Sequence, residues 1–222
     1  EPELLRPLLR HENAYRWTPP PGVQPSAKVL YTHEAMNGNR RAIDLRRYPR
    51  ARAYLEAHRE RLERRHYVLE AGREWYEIWV PQDPTAWVVP KIVFPDISPG
   101  PRFYLDFDGN LVDGDSYWIT PASRAPSEVL YLLLGVANSK LMARFHDLAF
   151  NNRLYSGRRR YITQYVAKYP YPSPETPPAR QLISLVQEII RHCGSESDEA
   201  HIRMLEAQID ALVEDCFGVG AA

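Results

Sequence analysis

The chain has 222 residues, 44% of them apolar and 11% aromatic, which suits one domain, or a domain with an appendage, with enough apolar side chains for a core. No apolar run is long enough to cross a bilayer, and the opening EPELLRPLLRHENAYRW lacks the charged-then-apolar layout of a secretory signal, so we expect a cytoplasmic chain with no membrane partner. The formal charge of zero conceals blocks: residues 1–65 hold 14 basic and 8 acidic side chains, 66–120 hold 3 and 9, 121–170 hold 8 and 2, and 171–222 hold 3 and 9.

The proline cluster TPPPG at 18–22 reads as an extended connector. KVLYT at 28–32 reads as a strand and NGN at 37–39 as a turn. From Tyr48 to Arg65 the pattern is a helix whose only apolar stripe is Tyr54, Leu55 and Leu62 among charges. Such a helix is solvated or faces a polyanion. AWVVPKIVF (86–94), RFYLDF (102–107) and DSYWIT (115–120) are rich in β-formers, with a DGN turn at 108–110.

Pro126 and Ser127 can start a helix, and EVLYLLLGVAN is apolar nearly all round, which predicts burial, with Asn138 and Ser139 as a break before a second helix. After the connector YPYPSPETPP at 169–178, Leu182, Leu185, Val186 and Ile189, then Ile202, Leu205, Ile209 and Leu212, recur at helical spacing. They predict a helical hairpin from Ala179 to Gly218. The expected fold is α/β (α+β): a small mixed or antiparallel sheet with flanking helices, a body over 1–178 and the hairpin over 179–222.

Catalytic constellations are missing. The sequence has no phosphate-cradling G-x-x-x-x-G-K-[ST] loop, no G-x-S-x-G elbow, and no H-E-x-x-H or C-x-x-C spacing. A nuclease of the PD...(D/E)-x-K kind needs a carboxylate two residues before its lysine, and the four lysines follow Ser26, Val89, Asn138 and Val166 at that offset. No D/N/S-P-P-aromatic loop or glycine-rich cofactor turn marks an adenine methyltransferase centre. Cys193 and Cys216 read as buried reduced thiols, and His66 and His146 as surface or satisfied interior residues.

Recognition chemistry is present instead. NNRLYSGRRRYITQYVAKYPYP (151–172) carries five basic residues, five tyrosines and no acid. Arginine and lysine neutralise phosphates, arginine reads guanine, and Asn or Gln pairs with adenine. Arg153, Arg158, Arg159, Arg160, Lys140 and Lys168 are therefore candidate DNA contacts, with Asn151, Asn152 and Gln164 as candidate base readers. Without a nearby acid the self-repulsion of this block looks uncompensated, which favours an anionic partner over a merely solvated loop. A second patch, NRRAIDLRRYPRAR (39–52), has six arginines and one aspartate; Arg40, Arg41, Arg46 and Arg47 would form the opposite wall of a cleft. Arginine outnumbers lysine 24 to 4, but a GC-rich coding sequence has the same effect, so the bias alone decides nothing.

The run P-K-I-V-F-P-D-I-S (90–98), the strand and turn F-Y-L-D-F to Asn110, the helix end L-L-L-G-V-A-N-S-K (132–140) and Y-I-x-x-Y-x-x-x-Y-P-Y-P (161–172) resemble, in that order, the TaqI-like specificity domain of adenine-specific DNA methyltransferases. Leu4 to Trp17 and Leu205 to Val219 look like its opening segment and closing helix. The resemblance implies a target recognition domain of a type IIG restriction-modification enzyme or a BREX PglX-like methyltransferase. It implies duplex DNA and a preceding methyltransferase domain as partners, with an endonuclease domain or defence-complex subunit as further possibilities. S-adenosylmethionine is expected in the methyltransferase domain, with no cofactor in this fragment, and Glu1 in place of an initiator methionine accords with a fragment. The rival from the residues themselves is a non-enzymatic adaptor whose basic surface takes an acidic protein such as a DNA mimic.

Overall fold

The computed structural model describes all residues except 21, 37, 38, 84, 85, 123, 124, 151, 152, 194–198 and 220–222. The chain begins with β1 (Leu5–Leu9), which pairs antiparallel with β2 (Ala27–Leu30). A hairpin follows, β3 (His33–Met36) with β4 (Asn39–Ala42); the tip of the expected NGN turn, residues 37 and 38, lies outside the described residues. The charged segment from Tyr48 is not one helix. It forms α1 (Pro49–Ala57) and α2 (Arg59–Glu63), interrupted at His58, then α3 (His66–Glu70). The physical reason is the thin stripe: only Ala51 and Leu55 of α1 are buried, and α2 buries nothing. Pairs such as Arg59 with Glu63 and Arg64 with Glu60 lace the exposed face, so this is a solvated surface helix.

The central sheet is β5 (Lys91–Pro95), flanked antiparallel by β7 (Tyr104–Asp106) and β9 (Ser116–Ile119). Between them lie β6 (Ile97–Ser98) and β8 (Leu111–Val112), the latter parallel to β1. The strand expected from Ala86 starts only at Lys91 because Pro90 has no N–H for the ladder. Every residue of β5 is buried, so the KIVFP run is core.

Helix α4 (Glu128–Asn138) supplies the opposite side of that core, and α5 (Lys140–Ala149) follows after the predicted break. Ser139 makes the break: its backbone is extended and its Oγ accepts from Met142 N at 3.1 Å, capping α5. Asn138 is fully buried and clamps the helix end to the sheet, accepting from Phe103 N at 3.1 Å and donating to Phe103 O at 2.8 Å. Gly135 lets α4 approach the hairpin closely, since a Cβ there would lie 2.9 Å from Val186 Cγ2.

After β10 (Arg159–Arg160) and α6 (Thr163–Val166), α7 (Pro177–His192) and α8 (Glu199–Phe217) form the hairpin. Gly218 follows at φ +64, the left-handed stop expected of glycine. Leu182, Val186, Ile189, Leu205, Ile209 and Val213 join Ile92, Phe94, Phe103 and the α4 leucines in one apolar cluster. Trp17 ties the opening segment in. It pairs with Phe103 and Leu105 through its backbone, its indole donates to Glu206 Oε1 at 2.9 Å, and these contacts hold it at φ +75, where non-glycine residues are uncommon. A mixed α+β fold with small sheets and carboxyl-terminal helices is observed. No helix among the described residues is long and apolar enough to cross a membrane.

Candidate nucleic-acid interface

The basic segment is a short anchored loop. Arg153 bridges antiparallel to Arg159, and Leu154 N donates to Arg158 O at 2.8 Å. The tip Tyr155–Gly157 turns through Ser156 at φ +65 and Gly157 at φ +72, a reversal that glycine at 157 makes accessible. Beyond it, β10 pairs with β6, so the loop is stitched to the strand that leaves the central sheet.

The charges within this loop are largely compensated, contrary to the expectation of unrelieved repulsion. Asp147 on α5 accepts from Arg159 Nε at 2.5 Å and Nη2 at 2.7 Å, and from Arg153 Nη2 at 3.1 Å. Arg159 Nη1 completes its set on Pro99 O at 2.6 Å. Asp96 accepts from Arg160 Nε and Nη2, each at 3.2 Å. The Arg159 guanidinium holds the Asp147 carboxyl below its ordinary range. Both acids lie outside residues 151–171 in sequence, so a count within the segment could not include them.

The loop arginines therefore divide. Arg159 is three-quarters covered, with its side chain 23% exposed, and locks the loop to α5. Arg153 and Arg160 each have one carboxylate partner and remain exposed. Arg158 is exposed with no ion-pair partner among the described residues, and so are Lys168, Arg144 and the amide of Gln164. Lys140 meets Asp210 of α8 at 3.1 Å. Asn151 and Asn152 lie outside the described residues.

The tyrosines divide as well. Tyr161 is 1% exposed, while Tyr155 is 99% exposed at the tip. Tyr155 is not among the sequence candidates; the Ser-Gly pair that follows it is the available signal, since it marks a tip. Beneath the loop, buried His146 stacks on Tyr161 with centroids 4.5 Å apart. Its Nε2 lies 3.1 Å from Arg160 O and its Nδ1 2.9 Å from Tyr169 Oη. A carbonyl only accepts, so Nε2 carries the proton and Nδ1 accepts from the tyrosine.

Burial pushes His146 below its ordinary pKa of 6.5, and it does the same to His33, despite Glu77 at 3.1 Å. The unfolded chain then binds more protons than the folded one below about pH 6.5. Stability is expected to be level above that pH and to fall as pH drops through about 6.5 to 5.5, a range in which ordinary carboxylates stay ionised. Melting curves across that range check this, and an unchanged Tm would contradict neutral buried imidazoles.

The second patch stands on a different apolar cluster, built from Leu4, Ile43, Leu45, Ala51 and Leu55. Arg41 meets Glu34 at 2.7 Å across the hairpin, and Arg40 donates to Pro81 O at 2.6 Å. Arg46 lies bidentate on Asp44, and Arg47 sits over the Tyr48 ring at 5.9 Å. Arg40 also lines a surface depression with Arg73 and Trp79, where the Arg73 guanidinium lies 4.6 Å from the Trp79 ring centroid. Arg73 is not a sequence candidate because it sits in the acidic block.

No protein family model matches the sequence. The chain is 46% identical over 219 residues to the type II methyltransferase M.BanIII of Aneurinibacillus aneurinilyticus, a match that takes in 99% of this chain and 37% of that protein. This chain is similar, end to end, to part of a type II methyltransferase. It is also 27% identical over 130 residues to the type II methyltransferase M.PaeR7I of Pseudomonas aeruginosa, covering 59% of this chain and 22% of that one. The chain thus spans well under half the length of the curated relatives it matches. Its fold is similar to part of the type IIL restriction-modification enzyme MmeI, solved in complex with DNA, with a TM-score of 0.63 at 14% identity over 99% of this chain and 29% of that one.

Proposed function

We propose that this chain is the target-recognition part of a larger adenine-specific DNA methyltransferase in a restriction-modification or phage-defence system, akin to the TaqI-like specificity domain. The observation that carries the reading is the 46% match over 99% of this chain to a methyltransferase of which it covers 37%. MmeI, similar in fold, was solved bound to DNA. In this reading residues 1–178 grip the duplex, and the hairpin from 179, packed on them through α4, also meets the methyltransferase domain. That attached domain holds S-adenosylmethionine, extrudes the adenine and methylates it, while this chain chooses where. An endonuclease domain or defence-complex subunit would be a further partner.

Arg158 and Lys168 are the leading phosphate contacts, because both are exposed and neither has an ion-pair partner among the described residues. Arg153 and Arg160 have partners they can share, and exposed Gln164 presents an amide that can read a base edge. Arg159 acts by holding the loop in shape. Arg40, Arg41, Arg46, Arg47 and Lys140 grip the same duplex from further off, and Asn151 and Asn152 stay candidate readers. Tyr155 adds a bare ring that can lie against a sugar or base.

Fluorescence anisotropy with labelled duplexes tests this, using the chain alone and joined to the methyltransferase region of its parent. Duplex binding that weakens with salt is expected, and in the joined protein one sequence should be preferred over scrambled ones. Lack of duplex binding in both forms would overturn the reading in favour of an acidic protein partner.

A further inference from the structure

We propose that the connected end of the helical hairpin, where α7 ends and α8 begins, is a divalent transition-metal site formed by Glu188, His192 and His201. Glu188 and His192 are four residues apart on α7, so they share one helical face. His201 comes from the first turns of α8. Its Nε2 lies 3.4 Å from Glu188 Oε1, and its ring stands edge-on to that of His192 with centroids 4.6 Å apart. One ligand atom from each of the three lies within 4.8 Å of the others.

Zinc–nitrogen and zinc–oxygen bonds of about 2.0–2.2 Å put neighbouring ligands of a tetrahedral ion roughly 3.2–3.6 Å apart. The Glu188–His201 distance already falls in that range, and the His192 ligand atom, within 4.8 Å of both, closes in to complete the set. Two imidazoles and one carboxylate suit zinc, cobalt, nickel or copper; calcium and magnesium prefer all-oxygen shells. Three protein ligands leave a coordination position for water. All three side chains are half-buried, so an ion can reach them from solvent.

The physical consequence is a cross-link. The two helices are held by Val186, Ile189, Leu205 and Ile209 along their length, and the metal would join them where the connection between them begins and ends. An ion that binds the folded hairpin and not the unfolded chain raises stability by mass action. None of this depends on DNA binding, so the two proposals can fail separately.

The test is to strip the full chain with EDTA, remove the chelator, and titrate it with zinc chloride by calorimetry and with cobalt chloride by visible absorption. One saturable equivalent is expected, with a higher Tm and, for cobalt, a d–d band. His201→Ala and Glu188→Gln should each lose the band and the Tm gain while keeping the wild-type circular dichroism spectrum. His11→Ala, remote from the hairpin, should retain both. The absence of saturable binding, or unchanged binding in the His192→Ala/His201→Ala double variant, would overturn the site and leave an edge-on histidine pair with Glu188 beside His201.

Discussion

Replacing Lys91 with methionine is expected to destabilise the protein by about 3–5 kcal/mol, the usual cost of removing one partner of a buried ion pair. Lys91 Nζ lies 2.7 Å from Asp106 Oδ2, and the side chains are 4% and 1% exposed. They face each other in register across β5 and β7, and Nζ also donates to Trp87 O at 3.2 Å. Asp106 does more than balance the charge. It accepts from Asn110 N at 3.1 Å, Asn110 Nδ2 at 2.7 Å and Asp108 N at 3.3 Å.

The pair therefore shapes the tight turn in which Gly109 stands at φ +71, where a Cβ would meet Trp87 O at 3.2 Å. Methionine fills the volume but leaves a carboxylate in the core. Urea unfolding should show a lower midpoint at an unchanged slope. Lys91→Met/Asp106→Asn should recover part of the loss, because the amide keeps the turn's acceptor and removes the charge. A loss below about 1 kcal/mol in the single variant would mean that water or another cation reaches Asp106, and the pair's structural role would fall.

Arg158→Ala combined with Lys168→Ala is expected to reduce the salt slope of duplex binding by about 1.8, at ~0.9 for each phosphate no longer neutralised. Both residues are exposed and without ion-pair partners among the described residues, so stability should stay within about 0.5 kcal/mol of the parent. Arg159→Ala behaves differently. It removes the bonds to Asp147 and Pro99, which costs on the order of 1–3 kcal/mol and loosens the whole loop. Deleting all of Arg158–Arg160 at once would mix the two effects, so single and double variants must be read beside a melting curve. Retention of the full slope by the Arg158/Lys168 variant would move the DNA surface elsewhere.

Much of the fold is legible because it depends on periodicity. The apolar EVLYLLLGVAN run, the Asn138–Ser139 break, the α7–α8 hairpin and the Gly218 stop all follow from spacing and cap chemistry, which act over a few residues. The stretch from Tyr48 to Arg65 reads as one helix but folds as two, because a weak apolar stripe leaves the outcome to tertiary contacts. The β-formers at 86–89 suggest an earlier start for β5 than the missing N–H of Pro90 permits.

For the candidate interface the residue types and the loop are readable, but their states are not. The sequence alone determined that Arg153 to Lys168 is a basic, tyrosine-bearing segment without an acid of its own. The three-dimensional packing adds that Asp147 and Asp96 reach into it, that Arg159 is consumed in holding it, and that Tyr155 stands bare at its tip. It likewise brought Glu188, His192 and His201 together from two helices. The reason is the same in each case: charge pairing and ligand geometry act across a few ångströms of space, and the loop's carboxylate partners lie up to 64 residues away along the chain.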